Sequence, residues 1–272
     1  MEDRFRNQKG IIDGDKLSKT RFVIVGAGAI GSAVCLGLSK MGMRLGTVYD
    51  FDTLEDHNFA NQLHPVSQLG KPKVESIVAV AKDYGDCTLT AINGPWTPGN
   101  AVDADVVISC VDNMDVRAAL WEYYKGRGVF FIDGRMSAFV YKVFGVDVVD
   151  MARAGASPQW KHYSSTLHSQ ADAAPEPCGE KSIIFTVLVV AGMMLDQVKK
   201  FLNNEYRPTE TVGDLYNLTM RHTYHMKQEI ETIYAEDTEE EQKQESTKIP
   251  SEHEESSLEV VREDSSAILA EK

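Results

Sequence analysis

A chain of 272 residues with 43% apolar side chains can fill one large α/β core or two small ones. Its longest apolar run, Ile183 to Leu195, falls short of the roughly 20 residues that a bilayer-spanning helix needs, which argues against a helical membrane protein. The net charge of −13 is concentrated at one end: residues 229–272 hold 15 acidic and 4 basic side chains, net −11, while the other 228 residues are near neutral at −2; no basic footprint for nucleic acid is present.

The four cysteines, Cys35, Cys87, Cys110 and Cys178, lie far apart and form no CxxC pair, which argues against a disulfide framework and a cysteine zinc site. The opening Met1-Glu2-Asp3-Arg4 is charged and lacks the apolar stretch of a secretory leader, so the expected location is the cytoplasm. In chain order, the segment Arg21 to Val25 carries a continuous apolar run after its arginine and ends in glycine, the pattern of a strand buried on both faces. A helix from about Ala29 to Met41 follows, then a strand from Leu45 to Tyr49 ending at Asp50-Phe51-Asp52. Pro72 to Tyr84 reads as a helix with proline in its first turn. Strands are predicted near Thr88–Ile92, Val106–Cys110 and Val129–Ile132, alternating with helical stretches, one of which carries Trp121, Tyr123 and Tyr124. Such alternation implies a parallel, doubly wound, Rossmann-like α/β sheet.

Beyond Gly134 the pattern changes. Phe139 to Val149 reads as one longer strand, and Ala152 to Cys178 as a long loop of the kind that carries function. Glu180 to Asn203 is predicted helical, and Asp214 to Met226 a strand pair, which gives the sheet C-terminal antiparallel strands. The expected organisation is one folded domain over 1–228, with a substrate loop at about 150–180, and a disordered acidic tail over 229–272.

The chemistry begins at Gly26-Ala27-Gly28-Ala29-Ile30-Gly31. Strand, glycine turn and helix together aim backbone N–H groups and a helix N-terminus at a phosphate. Asp50, ending the next strand, can bind ribose hydroxyls, a combination whose usual ligand is NAD. The segment from Asp50 through Asp52, Asn58, Asn61 and Gln62 is dense in hydrogen-bonding side chains. Lys73 lies in the first turn of a helix, where the dipole disfavours a cation unless an anion accompanies it. Asp112-Asn113 follows a strand's C-terminal end, the edge where open parallel sheets bind ligands. An aspartate beside phosphates suggests magnesium, and the expected ligand moves from NAD to ATP.

In these segments the chain resembles the ubiquitin-activating-enzyme-like adenylyltransferases typified by ThiF, MoeB and HesA. The matching stretches are the glycine turn, Asp50-Phe51-Asp52, Asn58 to Gln62, Gly70 to Ser76, Val111 to Arg117, the opening Arg4-Phe5-Arg6-Asn7-Gln8 and the Cys178 to Phe201 region, in the family's order across residues 1–228. The resemblance implies an ATP-dependent enzyme that activates the C-terminal carboxylate of a small ubiquitin-like or sulfur-carrier protein, ending in glycine, as an acyl-adenylate. It implies that Asp50 holds the ribose, that Asn58 and Asn61 face the nucleotide, that Lys73 faces the phosphates and that Asp112 faces magnesium. It also implies a homodimer in which Arg4 or Arg6 reaches the partner's phosphates. Cys178 occupies the position of a cysteine that in some members accepts the activated carboxylate and in others is dispensable.

Two departures stand out. Asn61 replaces the arginine that usually precedes the glutamine, leaving open whether Arg117 or Arg135 compensates, and the paired CxxC motifs of many members are missing, so no zinc is expected. Two other readings remain at this stage: an adaptor that binds nucleotide without turnover, and an NAD-dependent oxidoreductase.

Overall fold

The computed structural model describes residues 4–85, 87–148, 157–172 and 182–225; the expected acidic tail lies outside them, and so does Cys178. Five parallel strands form the first part of one eight-stranded sheet: β1 (Arg21–Val25), β2 (Leu45–Asp50), β3 (Thr88–Asn93), β4 (Val106–Ser109) and β5 (Phe130–Ser137). They stand in the order β3-β2-β1-β4-β5, followed by the antiparallel strands β6 (Val140–Asp147), β7 (Glu210–Asp214) and β8 (Thr219–Thr223). The order reverses at β1, which pairs with β2 on one side and β4 on the other. That reversal opens a crevice beyond the carboxyl ends of β1 and β4.

Helices cover both faces. α1 (Gly14–Lys19), α2 (Ala29–Met41), α3 (Lys73–Gly85) and α6 (Ile184–Leu202) share one apolar core with Phe22, Ile24, Val48 and Ile108 of the sheet. α4 (Met114–Tyr124) and α5 (Pro158–Ser165) share the other with Val23, Val107 and Phe131. Alternate residues of β1 thus serve opposite cores, which is why the strand is apolar from Phe22 to Val25. α6 buries Val187, Val190, Ala191, Met194, Val198 and Leu202, spaced by three and four, so one stripe of the helix faces the sheet. Among the described residues no helix is long and apolar enough to cross a membrane.

Three expectations change. The stretch read as loop from Ala152 to Cys178 contains α5 in its described part, started by the Ser157 side chain accepting from the Trp160 N–H and by Pro158 in the first turn. Asp214 is the end of a strand rather than the start of a pair: β7 begins at Glu210, and the turn falls between Asp214 and Thr219. The strand expected over 129–132 continues to Ser137 and turns back at Ala138 into β6, so the two form a hairpin.

Candidate functional site

The glycine turn is built by close backbone approach. Gly26 has φ +96°, and a Cβ placed there would lie 2.6 Å from the Cys110 carbonyl oxygen. A Cβ on Gly31 would lie 1.9 Å from the Gly26 oxygen. Any side chain at either position would push the turn off the end of β4. Gly28 is different: a Cβ there would meet nothing within 4 Å, so its backbone faces open space. α2 starts at that residue without a side-chain cap, leaving the first-turn N–H groups for an anion.

Asp50 closes the turn from the neighbouring strand. Its Oδ2 accepts from the Ala27 N–H at 2.6 Å and its Oδ1 from the Asp52 N–H at 2.8 Å. Each oxygen keeps a second lone pair, so the carboxylate can still accept from ribose hydroxyls. Asp52 pairs with Lys73, whose ammonium lies 2.7 Å from Oδ2. The lysine side chain is 9% exposed and the aspartate 49%. The Lys73 N–H also donates to the Asp52 carbonyl, which anchors the start of α3 beside the turn after β2.

The 3₁₀ turn Asp56–Ala60 begins with a reciprocal cap between Glu55 and Asn58. The Asn58 Oδ1 is taken up by the Glu55 N–H at 2.9 Å, so this oxygen holds the loop. Asn61 and Gln62 behave otherwise: Asn61 Oδ1 and Gln62 Oε1 are buried with no hydrogen-bond partner. The Leu63 N–H donates to the Ser32 hydroxyl in the first turn of α2, which brings this strip against the glycine turn. Unpaired buried acceptors are rare and call for a donor.

His64 fastens the same strip from behind. Its Nε2 lies 2.9 Å from the Ala27 carbonyl and its Nδ1 3.0 Å from the Ser76 hydroxyl. A carbonyl only accepts, so Nε2 carries the proton and Nδ1 accepts from Ser76. Burial holds the imidazole pKa below the ordinary histidine value, and the Lys73 charge acts in the same direction. His64 is therefore a neutral loop fastener.

Across the crevice, Asp112 is exposed in the turn between β4 and α4. Asn113 caps α4, its Oδ1 accepting from the N–H groups of Asp115 and Val116. Among the described residues there is no group of three or more His, Cys, Asp or Glu side chains able to hold a metal. A magnesium ion bound through nucleotide phosphates and waters needs only one or two carboxylates, so a lone Asp112 fits that role. The glycine cradle, the open N-terminus of α2 and the two unpaired amide oxygens fit a polar, phosphate-bearing ligand.

Neither arginine left open as a substitute at position 61 is free. Arg117 Nε donates to Asp133 Oδ1 at 2.8 Å and Arg135 Nε to Asp133 Oδ2 at 2.7 Å. Asp133 is fully buried. Burial raises its carboxyl pKa, but the charges of Arg117 and then Arg135, with their hydrogen bonds, outweigh this and hold it below the usual aspartate value. The signal for this cluster was an aspartate directly after the apolar run Phe130-Phe131-Ile132 in the same buried strand, a place where a charge persists only if paired.

Arg4 lies far from Lys73 in the same chain. Its Nη1 donates to the Gly85 carbonyl at the other end of α3, about 18 Å from Lys73 at 1.5 Å per residue. Arg6 sits in the adjoining 3₁₀ turn Arg6–Gln8. Cys35 and Cys110 belong to the core, and burial pushes both thiols above the ordinary cysteine value.

Residues 6–243 match the model of the ThiF family. The tRNA threonylcarbamoyladenosine dehydratase 2 of Saccharomyces cerevisiae is 29% identical over 157 residues, 53% of this chain and 34% of that protein. The molybdopterin-synthase adenylyltransferase of Haemophilus influenzae is 29% identical over 161 residues, covering 52% and 66%, and that of Escherichia coli is 37% identical over 123 residues, covering 40% and 46%. The chain thus spans between about a third and two thirds of the length of these curated relatives. Among solved structures, PaaA superposes with a TM-score of 0.64 at 18% identity, covering 79% of this chain and 66% of PaaA, and E. coli MccB, solved with ATP, with 0.62 at 16%, covering 78% and 65%. At such identities the likeness concerns the fold.

Proposed function

The chain belongs to the ThiF family, and from that premise we propose that it is an ATP-dependent adenylyltransferase acting on the C-terminal carboxylate of a small carrier protein or peptide. The observation that carries this reading is the convergence of four features on one crevice. These are the uncapped N-terminus of α2 behind the glycine turn, Asp50, Lys73 and Asp112. The relatives named molybdopterin-synthase adenylyltransferase support the same reading.

In the proposed reaction a carboxylate oxygen attacks the α-phosphorus of ATP. The bond from that phosphorus to the bridging oxygen breaks, and pyrophosphate leaves with its electron pair. Little covalent help is needed from the protein; orientation and charge neutralisation lower the barrier. The first turn of α2 supplies N–H donors to phosphate oxygens. Asp50 orients the ribose, and the amide oxygens of Asn61 and Gln62 gain donors from the nucleotide. Lys73 exchanges Asp52 for phosphate, since a half-exposed carboxylate holds an ammonium only weakly. Magnesium, when bound beside Asp112, supplies further neutralisation of the phosphate charge. Arg4 is held at the far end of α3 in its own chain, so the proposed phosphate contact, by Arg4 or Arg6, is made across a homodimer. Cys178 is the proposed acceptor if the acyl group passes on to a thioester.

ATP–pyrophosphate exchange with glycine-terminated carriers tests the reaction: radiolabel entering ATP only when carrier is present supports it. Asn61 keeps a second reading in view, a protein that binds nucleotide for a regulatory purpose without turnover. Tight ATP binding with no exchange for any carrier would favour that reading.

A further inference from the structure

The Asp133 cluster does more than neutralise a buried charge. One carboxylate faces two guanidiniums, and their remaining N–H groups go to two separate segments. Arg117 Nη2 donates to the Val111 carbonyl, immediately before Asp112. Arg135 Nη1 and Nη2 donate to the carbonyl and hydroxyl of Thr166, which caps α5, both at 3.1 Å. Tyr163 of α5 donates its hydroxyl to Asp133 Oδ2 at 3.1 Å, and Arg135 lies 4.6 Å over the Phe144 ring.

A second link closes the loop. The Met114 N–H donates to Gln170 Oε1 at 2.8 Å, and the Gln170 N–H donates to Asp115 Oδ1 at 3.0 Å. The first turn of α4, which begins two residues after Asp112, is therefore capped in part by a residue just beyond α5. A buried ion pair stabilises little compared with apolar packing of the same volume, so geometry is the better account of a second arginine here.

We propose that Asp133 is a positioning residue that makes the setting of the Asp112 turn depend on the docking of residues 158–172. Arg117 is the arm toward Asp112, and Arg135 is the arm toward α5. The segment so coupled lies inside the stretch whose sequence marked it as the substrate loop. A carrier seated against it would then act on the nucleotide edge through Arg135, Asp133 and Arg117. This inference rests on the adenylation reading, because it gives Asp112 a ligand to face.

The test uses the full chain and the variant Arg135→Lys, which keeps a cation beside Asp133 and gives up the fork onto Thr166. ATP binding is measured by calorimetry with EDTA and across a magnesium titration, alongside hydrogen exchange of the backbone amides. The expected result is roughly a tenfold rise in half-saturating magnesium at an unchanged melting temperature, with ATP affinity in EDTA equal to wild type. Exchange should quicken at residues 111–117 as well as 158–172, and stay unchanged in β1 and β2. Asp133→Asn, which keeps the shape and removes the charge, should show the same magnesium and exchange changes more strongly, with a lowered melting temperature because two buried guanidiniums lose their counter-ion. Faster exchange confined to 158–172, or wild-type magnesium dependence, overturns the coupling and leaves the adenylation reading intact. A wild-type chain that binds no ATP at any magnesium concentration overturns the adenylation reading, and the inference falls with it.

Discussion

The Lys73–Asp52 pair and the Asp133 cluster stand at the same carboxyl edge of one sheet, yet they treat charge in opposite ways. Lys73 is held by a carboxylate that is 49% exposed, beside two amide oxygens with no partner. Asp133 is sealed, with three hydrogen bonds converging on its carboxylate from Arg117, Arg135 and Tyr163 within the core. In the first region water reaches the Asp52 carboxylate, so a phosphate can displace it at small cost. In the second no competitor enters, and the side chains act as a rigid frame. A site that binds and releases a ligand needs both kinds of surroundings, one to exchange and one to hold still.

Removing the sealed carboxylate should give the largest effect. Asp133→Ala leaves two guanidiniums buried without their counter-ion and should destabilise the fold by about 3–5 kcal/mol, read as a lowered midpoint in urea unfolding. A loss under about 1 kcal/mol would place that cluster in the same class as the exposed pair and erase the contrast.

Lys73→Ala addresses the other region. Exchange of pyrophosphate into ATP should fall about 10²–10³-fold, the usual effect of losing one preorganised partner of a developing charge. Stability should fall less than in Asp133→Ala, because the Asp52 carboxylate left behind is 49% exposed and stays solvated. Equal losses of stability and activity would mean that Lys73 is structural.

Asn61→Arg should sharpen the comparison. It restores the cation that usually stands there, on the exchanging side, and a rate gain of about tenfold corresponds to about 1.4 kcal/mol of barrier. An unchanged exchange rate would show that the open side of the site is already neutralised by other groups.

The smallest effect is at His64, which joins the open region to its support. Its folded pKa lies below the ordinary value of 6.5, so its neutral form stabilises the fold above that pH, and this contribution is lost as pH falls through the depressed value. His64→Gln should be less stable than wild type near pH 8 and should lose less on acidification. Melting temperatures of the two proteins between pH 8 and 5 that converge at the acid end bear this out; parallel curves would not.

The parallel half of the fold was legible because its signals are local. Phe22 to Val25 is apolar at every position, and a strand buried on both faces is the arrangement that tolerates this. Asp50, Lys73 and Asp112 could be placed because each lies at the end of a strand or the start of a helix, points that a parallel sheet brings to one edge. α5 was missed because its eight residues are mostly polar; the Ser157-Pro158 start was the one local sign, and it was outweighed by surrounding glycine, proline and serine. Asp133 was passed over because its partners lie 16 and 30 residues away in Arg117 and Tyr163, and no period links them.

By itself the sequence determined the period of the parallel strands and of the helices between them, the glycine turn from Gly26 to Gly31, and which residue types arrive at the carboxyl edge of the sheet. Those are consequences of covalent order and of short-range sterics. The tertiary structure alone decided how the lone pairs and N–H groups are shared: that Asn58 holds its own loop, that Asn61 and Gln62 are left unpaired, and that Arg117 and Arg135 are committed to Asp133. A hydrogen bond requires its two atoms to come within about 3 Å, and for residues far apart in the chain only the packed fold sets that distance.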